Sequence, residues 1–126
     1  GTMNVVPTEF VRVMPDDFKA FIRDLFRKVD VSEEDAALLA DLLVGTDLRG
    51  VFSHGSRQAR GYLGLLKGRK LNPRPKVCAL QETPATAVLD GDGSLGYAPM
   101  MLATEKAIVK ARAKGVAVGA TCHIGH

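Results

Sequence analysis

Residues 86–96 read Thr86-Ala-Val-Leu-Asp90-Gly-Asp-Gly-Ser-Leu-Gly96. A β-prone run over 86–90 stops at a glycine-rich turn, and a helical period then takes over from about 99 to 114, with Met100, Ala103, Ala107 and Ala111 on one face. Gly115 stands where a left-handed helix cap belongs, and Val116-Ala-Val-Gly-Ala-Thr121 predicts a further strand. On the other side, residues 76–80 predict a strand separated from 86–90 by a Glu82-Thr83-Pro84 turn. Strand, strand, helix, strand is the order of an α/β domain.

Farther upstream the pattern is helical. Pro15 suits a first helical turn, and Asp16 and Asp17 favour its positive end. Phe18, Phe21, Ile22, Leu25, Phe26 and Val29 follow at helical spacing and predict a buried face. Ser32 predicts the cap of a second helix, with Asp35 completing a weak capping box and apolar positions running to Gly45. Residues 57–67 predict a third helix stopped by Gly68. Leu71-Asn-Pro-Arg-Pro75 cannot continue it, because each proline removes a donor and biases its predecessor toward extended backbone. The predicted organisation is a helical region over 1–75 followed by an α/β region over 76–126. So few strands leave edges open, which predicts self-association and an N-terminal piece of a longer polypeptide.

At 126 residues, 46% apolar and 25% charged, the chain has the composition of a water-soluble globular domain. Its two cysteines, Cys78 and Cys122, suggest neither a disulfide framework nor an oxidising compartment, and no stretch resembles a membrane span or secretory leader. Charge is divided unevenly: residues 1–55 carry 6 Lys/Arg against 10 Asp/Glu, and residues 56–126 carry 11 against 4, so −4 and +7 give the net +3. Between Ser56 and Gln81 stand seven basic residues and no acid, which suits anionic ligands. Aromatic stacking platforms and base-reading motifs are missing from this stripe, so nucleic acid is not the expected partner.

Gly91-Asp-Gly-Ser-Leu-Gly96 satisfies the G-x-G-x-x-G pattern of a dinucleotide site. Three features weigh against that use. Asp90 and Asp92 would face the pyrophosphate, Tyr97 and Pro99 predict a helix that begins late, and the strand over 116–121 ends without an acid for the ribose. A structural turn is favoured. All three histidines stand near glycine, in Ser53-His54-Gly55 and Cys122-His-Ile-Gly-His126. Histidine is the usual general acid or base near neutrality, and Ser53 can orient or relay for His54, although a cap beside an exposed ring has the same sequence. Cys122, His123 and His126 also suggest a metal corner, but only Cys78 and His54 remain to complete four ligands, so no metal is expected. Both cysteines read more simply as small apolar residues.

Taken in order, Gly50-Val-Phe-Ser-His-Gly55, Tyr62, Leu66, Gly68, Asn72-Pro-Arg-Pro75, Asp90-Gly-Asp-Gly-Ser-Leu-Gly96, Lys114-Gly-Val-Ala-Val118 and the terminal His126 resemble the type-2 malate/L-lactate dehydrogenase family. These are NAD(P)-dependent oxidoreductases of small 2-hydroxy and 2-oxo acids, related to ureidoglycolate dehydrogenase. The resemblance implies an incomplete α/β cofactor domain of non-Rossmann type, beginning at 76 and cut at 126, in a cytoplasmic homodimer or higher homo-oligomer with no nucleic-acid or membrane partner. It assigns proton exchange to His54, relay to Ser53 and pocket roles to Tyr62 and to a second active-site histidine, His126. Cys122, His123, Ile124, Gly125 and His126 would contact NAD or NADP. Gln58 stands where the family commonly has an arginine that grips a substrate carboxylate; it is expected to bind substrate with Tyr62 by hydrogen bonding a carboxylate, hydroxyl or amide without charge. Arg57, about 100° away on a helix, cannot simply replace the arginine, which puts the usual malate or lactate substrate in doubt. The implied activity is hydride transfer by the whole protein, with this piece inactive alone. The alternative is a non-catalytic interaction module acting through the basic stripe or a sheet edge.

Overall fold

The computed structural model describes residues 8–125, which form two compact units divided between Gly68 and Arg69. The first is helical. Helix α1 (Pro15–Lys28) and helix α2 (Glu33–Leu48) pack together, and a short 3-10 turn at Phe52–His54 and another at Ser56–Gln58 lead into α3 (Ala59–Lys67). The cap expected at Ser32 is present, its hydroxyl oxygen accepting from the Asp35 amide at 3.2 Å. Burial, followed by the charge of Glu34, raises the Asp35 carboxyl above its ordinary value.

Helix α1 presents a narrower apolar stripe than its sequence predicts. Ile22 and Phe26 are buried, whereas Phe21 is 57% exposed and stacks near Phe18 with ring centroids 6.4 Å apart. The helix buries the side centred on Ile22 and Phe26, leaving Phe21 at the margin. Helix α2 overruns its expected end at Gly45 because the stop is built farther on: Gly50, at φ +81°, donates to Asp47 O, and Val51 donates to Thr46 O. These two bonds form a Schellman cap. Leu39, Ala40, Leu43 and Val44 of α2 are buried, and each large member stabilises the unit by about 1.5–3 kcal/mol. The third helix is also shorter than expected, since 56–58 take the tighter 3-10 path, with Gln58 N–H on Gly55 O at 3.0 Å.

The second unit is a three-stranded sheet with one helix. Strand β1 (Cys78–Thr83) pairs antiparallel with β2 (Thr86–Ser94), which pairs parallel with β3 (Val118–Ile124) through the crossover helix α4 (Tyr97–Lys114). The mixed helix-and-strand fold and the incomplete α/β sheet agree with the sequence, although every strand is displaced from its predicted bounds. Strand β1 runs on through Glu82 and Thr83, so the turn is Pro84-Ala85, and β3 includes Cys122 rather than ending before it. Ala87 and Leu89 of β2 face inward with Pro99 and Ala103 of α4, while Met100, expected on that face, is 43% exposed. Gly115 adopts the anticipated left-handed cap at φ +88°. Asn72 N–H donates to Gly93 O at 2.9 Å, so the proline-rich segment hydrogen bonds within this unit rather than closing the helical region at 75.

Candidate functional sites

In the first unit the chemistry begins at the end of α2. The Asp47 carboxylate accepts the Ser56 amide at 3.1 and 3.2 Å, tying the chain beyond His54 back to the helix. Gly55 lies directly against this carboxylate, and a Cβ there would collide with it, which is the physical requirement for glycine in Ser53-His54-Gly55. Ser53 Oγ stands 2.8 Å from His54 Nδ1, leaving Nε2 of an exposed ring directed elsewhere. Gln58 Nε2 donates to Ser53 O at 2.6 Å and closes the turn from the other side. Tyr62 is half-buried one turn farther along α3.

Thus Ser53, His54 and Gln58 come together, and the amide nitrogen of Gln58 serves the backbone of the histidine turn. An apolar groove of about 1250 Å³, lined by Phe10, Phe18, Val44, Leu48 and Phe52, reaches Asp47, Ser56 and Arg57 but is not lined by Ser53, His54, Gln58 or Tyr62. The sequence does not single out Asp47, because nothing in nine residues of separation marks a carboxylate as the anchor of a later amide. Asp47→Ala should cost about 1–3 kcal/mol through the lost charge-assisted bonds and loosen the His54 turn. Urea midpoints and amide exchange at Ser56 check this, and unchanged exchange would contradict the anchoring role.

In the second unit the carboxyl ends of parallel strands β2 and β3 carry the remaining residues. Asp90 pairs with Cys122 and Ser94 with Ile124, so β2 bulges outward over 91–93, with Asp92 at φ +53° and Gly93 at φ +73°. The bulge is closed by its own carboxylates. Asp90 Oδ1 accepts the Asp92 amide at 2.9 Å, and Asp92 Oδ2 accepts from Asn72 Nδ2 and the Lys76 amide. Ser94, nearly buried, places its hydroxyl 2.7 Å from Gly91 O. Helix α4 starts at Tyr97, directly after Gly96, rather than late as expected, but Pro99 in its first turn supplies no amide hydrogen. The two aspartates occupy the turn, so it does not fit a dinucleotide pyrophosphate.

Cys122 and His123 stand beside Asp90. His123 Nδ1 is 3.0 Å from Asp90 Oδ1 and 3.7 Å from Cys122 Sγ, with His123 itself at φ +53°. Gly125 N–H donates to Ser94 O at 2.9 Å, and Ile124 pairs across from Ser94. His126 lies outside the described residues. In the sequence Asp90 stands out only as a group that repels phosphate; no local pattern marks it as the neighbour of His123, because the strand pairing that joins them is not local.

The Asp92 amide, and next the His123 ring, hold the Asp90 carboxyl below its ordinary value. A depressed folded pKa gives stability that is present above the unfolded value of about 3.9 and is lost as pH falls through the folded one. Carbon-detected NMR titration should therefore place the Asp90 midpoint below that value, with the Asp92 amide shifting in step. A midpoint at or above it would refute the turn's electrostatic closure.

Against known proteins, residues 13–126 match the family model for malate/L-lactate dehydrogenase. An L-sulfolactate dehydrogenase of Methanocaldococcus jannaschii is 43% identical over 112 residues, covering 89% of this chain and 33% of that protein. The ureidoglycolate dehydrogenase (NAD(+)) of Escherichia coli is 27% identical over 116 residues, covering 92% of this chain and 33% of its own length. The structure of malate dehydrogenase from Pyrococcus horikoshii superposes with a TM-score of 0.89 at 34% identity, covering 96% of this chain and 35% of that one. The chain spans about a third of the length of the curated relatives it matches. With the helical unit, the hairpin and crossover of the sheet, and the match from residue 13 to 126, the chain belongs to the malate/L-lactate dehydrogenase family of oxidoreductases.

Proposed function

We propose that the whole protein is an NAD(P)-dependent dehydrogenase that interconverts a small 2-hydroxy acid and its 2-oxo acid, and that His54 handles the proton. The observation that carries this reading is the 2.8 Å contact between Ser53 Oγ and His54 Nδ1. It orients the imidazole through one nitrogen and frees the other for a substrate oxygen. In the reducing direction His54 gives the proton from Nε2 to the carbonyl oxygen at C2, and Ser53 holds Nδ1 through the change of charge. In oxidation the same nitrogen takes the hydroxyl proton. NAD(P)H supplies the hydride when bound; this chain supplies position and proton.

Gln58 acts here as a positioning residue through Ser53 O and as an uncharged hydrogen-bonding group for substrate, Tyr62 forms part of the pocket wall, and the family resemblance gives His126 the role of a second active-site histidine. Cofactor contacts fall to residues 122–126, as the family resemblance implies, rather than to the glycine turn. The carboxyl ends of parallel strands are where open α/β sheets receive ligands. A cytoplasmic homodimer or larger homo-oligomer is part of the reading and rests on the family resemblance. Among the described residues no helix is long and apolar enough to cross a membrane.

The test is turnover of NADH and NADPH by the whole protein with pyruvate, oxaloacetate and sulfopyruvate. Oxidation of either nicotinamide with at least one of them is expected. No turnover with any, together with salt-sensitive binding of nucleic acid through the basic stripe, would replace this reading with that of an interaction module.

A further inference from the structure

We propose that Asp90, Cys122 and His123 form a three-donor site for a borderline divalent metal ion of the Zn²⁺ type. This goes beyond the dehydrogenase reading and does not rest on it. The sequence predicts no metal, because beyond Cys122, His123 and His126 only Cys78 and His54 remain to complete four ligands. The fold supplies a further donor from the neighbouring strand.

One carboxylate oxygen, one thiol sulfur and one ring nitrogen lie within 4.8 Å of one another. A tetrahedral ion holding sulfur at about 2.3 Å and nitrogen or oxygen at about 2.0–2.1 Å spaces S and N about 3.6 Å apart, and N and O about 3.3 Å. The observed separations are 3.7 Å for Cys122 Sγ to His123 Nδ1 and 3.0 Å for His123 Nδ1 to Asp90 Oδ1. Two edges of a coordination shell are thus close to their required lengths. Thiolate, imidazole and carboxylate select Zn²⁺ and related ions over Mg²⁺ or Ca²⁺, which prefer oxygen donors alone. One thiolate and one carboxylate also neutralise a divalent charge.

The geometry is built into the backbone. A Cβ on Gly91 would collide with Ile124 Cγ2 and crowd His123 O, so glycine permits the close approach that brings β2 against the end of β3. The Asp92 amide holds Asp90 Oδ1, an outer bond of the kind that orients a ligating carboxylate. With three protein donors, a fourth position is left for water or another small ligand. Cys78 pairs across from Asp90 on β1 but is exposed and is not one of the clustered donors.

Co²⁺ substitutes for Zn²⁺ and reports thiolate ligation by charge-transfer absorption in the near ultraviolet. Titrating Co²⁺ alone into the 126-residue chain should give that band at one equivalent, and added Zn²⁺ should bleach it. Cys122→Ser should abolish the band, and Cys78→Ser should keep it. His123→Asn, whose new residue also tolerates the left-handed backbone, should weaken Co²⁺ by more than the roughly 10–100-fold that loss of an outer-shell partner costs. Circular dichroism on each variant confirms that the fold is retained. A chain that gives no thiolate band, a band that survives Cys122→Ser or disappears in Cys78→Ser, or an affinity unchanged in His123→Asn would each overturn the proposal. In that event the 3.0 Å contact is only an Asp–His hydrogen bond.

Discussion

If His54 carries the proton as proposed, His54→Ala in the whole protein should lower turnover by about 10²–10⁴-fold while NADH binding changes little. That is the range contributed by a positioned general acid or base. The split follows from the geometry: the imidazole stands in a turn of the helical unit, held by Ser53 Oγ and, through the Ser53 carbonyl, by Gln58. On the proposed mechanism, removing the ring removes the proton carrier and changes none of the residues proposed to contact NADH. Ser53→Ala lowers turnover less, because the imidazole keeps its place in the chain and loses only its orienting partner. Single-turnover reduction measured beside fluorescence titration of NADH separates the two effects. Near-normal turnover in His54→Ala would remove the histidine from the mechanism, and a parallel loss of NADH binding would mean that the substitution disturbs more than the proton.

Phe26→Ala should destabilise the chain by about 3–5 kcal/mol, the cost of a cavity left by a fully buried aromatic side chain. Set against a whole-domain stability of about 5–15 kcal/mol, this is a large share of the total, and at the lower end of that range it leaves the helical unit with almost no stability. Phe26 also closes the end of α1, since its carbonyl accepts the Val31 amide at 3.2 Å beside the buried Val31 side chain. Loosening α1 against α2 then reaches the His54 turn, because Asp47 near the end of α2 holds the Ser56 amide. Thermal and urea unfolding followed by circular dichroism give the first number, and amide exchange at Ser56 the second. A loss below about 1 kcal/mol would mean that the core repacks around the deletion. Phe21→Ala is the control: at 57% exposure it should cost far less.

The contrast between Phe21 and Phe26 shows how far the sequence reaches. Both stand on the apolar stripe of α1, and periodicity cannot rank them, because which part of a stripe is covered depends on the neighbouring helix. The Ser32 cap and the Gly115 stop were legible, since each depends on groups within a few residues. The end of α2 was not. Gly45 offered a plausible stop, and only the paired bonds from Gly50 and Val51 decide for the later one. At the glycine-rich turn the sequence predicts a late start for α4, whereas the helix begins at Tyr97 directly after Gly96. Nor does the sequence record that the carboxylates of Asp90 and Asp92 are consumed in closing the turn on Asp92, Asn72 and Lys76.

By itself, the sequence determined a helical region followed by strand, strand, helix, strand, its family, and the adjacency of Ser53 to His54. Local caps, turns and periodicities are encoded by neighbours, and a family resemblance is carried by ordered residues. Only the tertiary structure decided that Asp47 anchors the histidine turn and that Gln58 is bonded to the Ser53 carbonyl. It alone brought Asp90 to the side of Cys122 and His123. Those relations join residues through helix ends and strand register, where the chain returns on itself, and no local pattern records the distance between groups that folding brings together.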